Sequence, residues 1–331
     1  MAMTIIEAAM LEQKKLRKGV LQAFWENLQP SPAERIPWEG TTSLGVTVAM
    51  LGQVDAPTMR HLNPASITAW QARFDQMQET LKILENTIVI DPVLLEIKDT
   101  VQDLRVSQVT AYMRTVNYLV NDLFINGDGV TNPTNPHGIK YRLENDAKFA
   151  GQTIDAGVAA AFDVDASDAN RYTWLEFLDK TIYLIDGGKP DAIICNQQTW
   201  LKFWDALRRL RLLDQTKDQF DREILRYRGI PILDAGQKVA GAILGGASNQ
   251  VIADDGETSP IYARANTTSM YAVKWGPDYC LGLQLGGGLD VKHFGELGSA
   301  TYQDVTRLRW VFGFATFHPR CVARLAGLDI T

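Results

Sequence analysis

Between Asp91 and Ile139 the chain commits to one very long helix that ends at a glycine- and proline-rich turn, and every other segment has to be placed around it. Asp91 suits the N-cap, where its carboxylate accepts from free backbone N–H groups. Pro92 suits the first helical position, where its missing N–H has no partner to lose. From there Ile97, Val101, Leu104, Tyr112, Val116, Leu119 and Leu123 recur at three- and four-residue spacing, with Gln108 in one apolar slot. That is the period of an amphipathic helix. About 33 residues rising ~1.5 Å each span roughly 50 Å, so the helix has to cross a whole domain or run along a surface. Its second half adds Val106, Val109, Met113, Val120 and Phe124, which predicts burial on a wider face there. Asn126-Gly127-Asp128-Gly129 offers left-handed backbone at the end, and Pro133 and Pro136 keep the helix from resuming.

A chain of 331 residues holds one large domain or two, and 46% apolar with 22% charged residues is an ordinary globular balance. The net charge of −6 argues against a surface that grips nucleic acid throughout. Cys195, Cys280 and Cys321 are odd in number, widely spaced and set among apolar residues. Buried free thiols are therefore expected, with a disulfide as the alternative. No run reaches about 18 apolar residues, and the first residues lack the pattern of a signal peptide, so the expectation is a soluble protein made inside the cell, with no membrane partner.

In chain order, Ile5, Ala9, Leu16, Val20, Phe24 and Leu28 form an amphipathic helix with Lys14, Lys15, Arg17 and Lys18 in its middle. That basic cluster is a solvated face or, secondarily, a nucleic-acid or partner contact. Pro30 to Thr42 is an arm without periodicity. Gly45 to Val54 favours a strand, and Phe74 to Ile90 its returning partner; a ribbon of that kind has edges to satisfy and needs a neighbour. Helices are expected over Thr173 to Ile185 and Thr199 to Leu213, around a buried strand from Asp191 to Cys195. Tyr227 to Leu233 is expected to be one strand kinked at Gly-Ile-Pro. Glycine becomes frequent and strands short from about Asp214, which suggests a second, β-richer unit. The last strand, Arg307 to Phe317, sets Leu308, Trp310, Phe312 and Phe314 against Arg307, Arg309 and Gly313, so one face is buried.

Chemistry-bearing motifs are few. Asp163, Asp165 and Ser167 imitate the start of a calcium loop, but Asp168 stands where glycine is needed and Trp174 where glutamate is, so a solvated loop is favoured. His61, His137, His293 and His318 have no metal-ligand spacing, Gly286-Gly287-Gly288 lacks a dinucleotide or phosphate-loop pattern, and no nucleophile elbow appears. No catalytic residue, metal or cofactor is assigned. Segments that project without a core of their own mark proteins that interlock with their own copies.

The order of these elements, an arm, an extended loop, a long helix and then two interleaved units, resembles that of the major capsid proteins of tailed bacteriophages, the Hong Kong 97 fold. Four local sequences carry the resemblance: Asn126-Gly127-Asp128-Gly129 with Asn135-Pro136-His137-Gly138-Ile139; Ile193-Ile194-Cys195-Asn196 before Thr199-Trp200; Tyr227-Arg228-Gly229-Ile230-Pro231; and Phe314-Ala315-Thr316-Phe317-His318-Pro319. The resemblance implies an α+β fold divided into an N-terminal helix and arm (1–43), an extended two-stranded loop (44–90), a peripheral domain (91–213) with its spine helix at 92–125, an axial domain (214–306) and a return strand closing the peripheral domain (307–331). It implies a structural protein, not an enzyme, that assembles as hexamers and pentamers into an icosahedral shell around double-stranded DNA, in the virion and first in the host cytoplasm. A portal and a separate scaffolding protein are the implied partners, and the packaged DNA is touched weakly and non-specifically. Met59, Arg60 and Leu62 on the extended loop and Trp38 on the arm are the implied inter-subunit contacts. Val109, Tyr112, Met113, Val116, Leu119 and Leu123 are the buried face of the spine, with Val109 to Phe124 beneath the peripheral sheet and Glu96 to Arg105 more exposed. Lys82 is the only lysine between Leu44 and Ile90 and lies near the base of the loop, so no covalent weld through a loop lysine is expected. An encapsulin, a cellular compartment of the same fold, is the alternative, and an enzyme with an unrecognised site a more distant one.

Overall fold

The computed structural model describes residues 31–57, 59, 69–91, 104–155, 168–210, 214–217, 223–236, 251–252, 267–298 and 302–329. The N-terminal helix with its basic cluster, Arg60 and Leu62, the first turns of the spine helix and the calcium-like loop lie outside those residues. In chain order the elements are β1 (Trp38–Thr41), β2 (Gly45–Val54), β3 (Ala72–Thr80), β4 (Lys82–Ile90), α1 (Leu104–Asn126), α2 (Ile139–Asn145), β5 (Thr153–Asp155), α3 (Asp168–Leu184), β6 (Ala192–Cys195) and α4 (Gln197–Arg209). They continue as β7 (Asp214–Lys217), β8 (Glu223–Tyr227), β9 (Ile230–Asp234), β10 (Thr267–Val273), β11 (Cys280–Leu285), β12 (Asp290–Gly298), β13 (Tyr302–Thr316) and β14 (Val322–Asp329).

The first sheet is built along β13. On one side β4 pairs with it antiparallel from Asp304 to Phe312. On the other, β12 covers its first half and β11 its end, so that β11 and β12 lie end to end with Gly286-Gly287-Gly288 between them. The alternation read from the sequence holds only at the start of β13, where Leu308 and Trp310 are buried and Arg309 is exposed; from Trp310 to Thr316 every residue is buried, Gly313 included, because this stretch is covered on both faces. The face carrying Phe314 meets α1, where Phe124 packs edge-on against Phe314 with ring centroids 5.1 Å apart and against Trp275 at 5.2 Å. Burying faces of this kind is the main source of stability for both the helix and the sheet.

The second sheet has seven strands in the order β5-β14-β10-β6-β9-β8-β7. Its apolar cluster, including Trp174 and Leu178 of α3, Phe203 of α4, Ile193, Met270 and Leu325, is separate from that of the first sheet. A single 3₁₀ turn at Pro319–Cys321 passes the chain from β13 in one sheet to β14 in the other.

Several expectations are corrected. Boundaries at 213/214 and 306/307 do not separate the two sheets. β6 and α4, placed by sequence in the first unit, pack with β9, β10 and β14, whereas β11 and β12, placed in the second, pair with β13. A shift in composition records how often strands turn, not which strand each one pairs with. The supposed returning strand from Phe74 to Ile90 is two strands broken at Leu81, and only β3 pairs with β2. Tyr227 to Leu233 is a hairpin: Arg228 (φ 50°) and Gly229 (φ 77°) are both left-handed, the pattern of a two-residue turn matched to strand twist. The closing segment is a further strand, β14, paired with β10 on one side, with a bulge after Leu325, and with β5 on the other, and buried from Val322 to Leu328.

Candidate assembly surface

β2 and β3 form an antiparallel ribbon, paired from Gly45↔Thr80 to Val54↔Ala72, that belongs to neither sheet. Ten residues of strand reach about 33 Å. Part of the ribbon is rooted: Val48 and Met50 are buried in the main apolar cluster, with Val46 and Met77 packed against it. The remainder exposes large apolar side chains, with Phe74 64% and Trp70 57% exposed and Met59 entirely so. Trp70 is held by its indole N–H donating to the Asp55 carbonyl at 2.7 Å. Ile83 and Val89, on neighbouring β4, are also exposed. Large apolar side chains gathered on a projecting ribbon mark a surface meant to be covered.

The base of the ribbon is fastened by α2. The helix can begin where it does because Gly138 and Gly127 come into backbone contact, the Gly138 N–H donating to the Gly127 carbonyl at 2.7 Å. A Cβ on Gly127 would lie 2.3 Å from the Pro136 carbonyl oxygen. From α2 the buried Arg142 reaches Glu79 Oε1 of β3 at 2.5 Å, Thr316 Oγ1 at 3.1 Å and the Phe314 carbonyl at 3.0 Å, both of β13, and the His137 carbonyl at 3.3 Å. Burial works against the cation, but the charge and hydrogen bond of Glu79 outweigh it and hold the guanidinium above its ordinary range. Leu81, at the break between β3 and β4, packs over Gly313, where a Cβ would lie 2.9 Å from its Cδ2. Two residues further along α2, on its opposite face, Glu144 accepts from Arg324 Nη1 of β14 at 2.7 Å, and Arg324 also donates to Ser269 Oγ of β10 at 3.1 Å. Burial lowers the pKa of Arg324, with Glu144 opposing the shift. A seven-residue helix thus ties the ribbon, the first sheet and the second sheet together.

Of the residues singled out by sequence, Met59 is exposed in the connection between β2 and β3. Trp38 is corrected. It is 2% exposed, lies across Gly282 and packs against Trp310, Phe312 and Phe314 at centroid distances of 4.8, 6.0 and 6.0 Å. Because β1 adds to the edge of the first sheet beside β11, its tryptophan is consumed inside the chain and is not available to a neighbour. On α1, Val109, Met113 and Val116 are buried, whereas Tyr112, Leu119 and Leu123 are partly buried; Val120 and Phe124 complete the buried stripe. Cys195, Cys280 and Cys321 are free and buried. Lys82 donates to the Pro133 carbonyl at 2.7 Å. Sequence reasoning missed Arg142, Glu79 and Glu144, which are ordinary residue types far apart in the chain. Arg324, inside the apolar run Val322-Ala323-Arg324-Leu325-Ala326, was the one legible sign of a buried charge. Among the described residues no group of three or more His, Cys, Asp or Glu side chains could hold a metal ion, and no described helix is long and apolar enough to cross a membrane.

Residues 36–167 match the family described as major capsid protein GP7. No curated protein sequence matches the chain. Among solved structures, the capsid of a native GTA particle is similar at 16% identity and TM-score 0.56, over 87% of this chain and 86% of that one. The encapsulin SrpI of Synechococcus elongatus is similar at 12% identity and TM-score 0.61, over 89% and 86%. The capsid of Myoviridae phage XM1 is similar at 13% identity and TM-score 0.52, over 88% of each chain.

Proposed function

We propose that this chain, which has the Hong Kong 97-type fold of phage major capsid proteins, assembles as hexamers and pentamers into an icosahedral shell that encloses packaged double-stranded DNA. One observation carries the proposal: the exposed β2–β3 ribbon lies within the stretch that matches the GP7 major capsid family. In this assignment the ribbon, with Met59 and the neighbouring Arg60 and Leu62, lies over an adjacent subunit. The first sheet with α1 corresponds to the peripheral domain and the second sheet to the axial one. Many modest interfaces per subunit add up to a stable shell while leaving each contact reversible during assembly. An acidic chain suits a DNA container, since a strongly basic inner wall would hold phosphates against movement. A portal, a separate scaffolding protein and assembly in the host cytoplasm complete the proposal.

The test is the content of purified particles. Icosahedral shells holding nuclease-protected DNA of genome length are expected, and small oligomers without shells would overturn the proposal. A second assignment, an encapsulin-type compartment, is favoured by the likeness to the SrpI encapsulin at TM-score 0.61. Shells filled with a co-purifying enzyme and free of DNA would establish it instead.

A further inference from the structure

We infer that Arg142 and Glu79 form a clasp that sets the angle at which the β2–β3 ribbon leaves the body, and through that angle the curvature of the assembled shell. The inference rests on the shell function proposed above. Both side chains are buried, at 5% and 6% exposure, and they join a ribbon outside both sheets, rooted otherwise by apolar packing at Val48, Met50 and Leu81, to a strand of the first sheet. Arg142 makes its four oxygen contacts at one point, on β3, on β13 and on the turn after α1. A planar guanidinium holds such contacts only in a narrow range of geometries, so the clasp specifies orientation more than it adds stability.

The lever is long. A change of about 5° at the base moves the tip of a ribbon about 33 Å long by roughly 3 Å, enough to shift which residues its exposed side chains meet. A core apolar contact would tolerate that rotation by repacking. A buried ion pair with directional bonds does not, because rotation leaves a charge without its partner. Arg142 and Glu79 are positioning residues in this scheme, acting on the neighbouring subunit only through the ribbon.

The test uses the full chain with Glu79→Gln, which keeps the side-chain shape and removes the charge, beside Arg142→Lys, which keeps a charge opposite Glu79 but loses the fork. Met270→Ala, in the second sheet, is the control for general destabilisation. Amide exchange in residues 45–50 and 72–80 is expected to rise roughly tenfold or more in Glu79→Gln, with exchange in β13 unchanged. The folded variant is expected to give shells of altered or broadened diameter, or none, with Arg142→Lys intermediate and Met270→Ala shells of wild-type diameter. Glu79→Gln shells of wild-type diameter and spread would overturn the clasp while leaving the shell function standing. So would diameters disturbed equally by Met270→Ala. Wild-type protein that forms no shells would overturn both.

Discussion

The cysteines show how burial settles the chemistry of a side chain. Burial pushes the Cys280 thiol up to about 12, against the pull of Arg142, and raises Cys195 and Cys321 well above the ordinary range. A thiol is reactive only as its thiolate. All three cysteines are therefore expected to resist an aromatic disulfide reagent at pH 8 in the native subunit and to react together in denaturant; rapid labelling of any one in the native state would contradict their placement. His137 makes the opposite kind of prediction. Burial first, and the Arg142 cation second, lower its pKa from the ordinary 6.5. Just below pH 6.5 the unfolded chain therefore binds more protons than the native one, so stability present at neutral pH is lost as the pH falls. The drop in melting temperature between pH 7.5 and 5.5 is expected to be smaller in His137→Gln than in the wild type.

At the scale of elements, the junction of α1 and α2 decides how the ribbon can be anchored. The two glycines there serve close approach, since Cβ atoms on Gly127 and Gly138 would each fall under 3 Å from backbone atoms. Gly127→Ala is expected to cost about 1–3 kcal/mol, as overpacking does, measured by denaturant unfolding. A cost near zero would mean that the turn has room the structure does not show. Much of α1 was legible beforehand, because a 3.6-residue period marks one face whatever packs on it. Its edges were not. Tyr112 and Leu123 lie at the margin of the stripe and Leu119 is only half-buried, because the position of the sheet, not the period, sets the depth of burial. Trp38 was misjudged for a related reason. An arm segment without periodicity looks free in sequence, and only the bare backbone of Gly282 creates the slot that its ring fills.

At the scale of the whole molecule, the ribbon and its connection leave Phe74, Trp70 and Met59 exposed on the subunit. Deleting Asp55 to Asn63 is expected to leave a folded, soluble subunit that forms no shells by electron microscopy; normal particles from that deletion would remove the ribbon's assigned role. Lys82 is engaged at the base of the ribbon with the Pro133 carbonyl. Boiled and denatured particles are accordingly expected to migrate as the 36.9 kDa monomer, and a ladder of covalent multimers would contradict this.

The local features were readable from residue order alone: the second half of the long helix, its glycine and proline stop, the apolar face of β13 at Leu308, Trp310, Phe312 and Phe314, and the buried state of the three thiols. Each is a property of neighbouring residues, so local spacing carries it. Which strands share a sheet, where one unit gives way to the other, and how the ribbon is fastened could not be read that way. Those depend on contacts such as Arg142 with Glu79 and Glu144 with Arg324, made by residues 63 and 180 positions apart. No local pattern encodes such a pair, because what selects it is the cost of leaving a charge alone in the interior. The long helix is therefore more than the domain-crossing element its length suggested: its end and the Gly127–Gly138 contact place the short helix that joins the ribbon to both sheets.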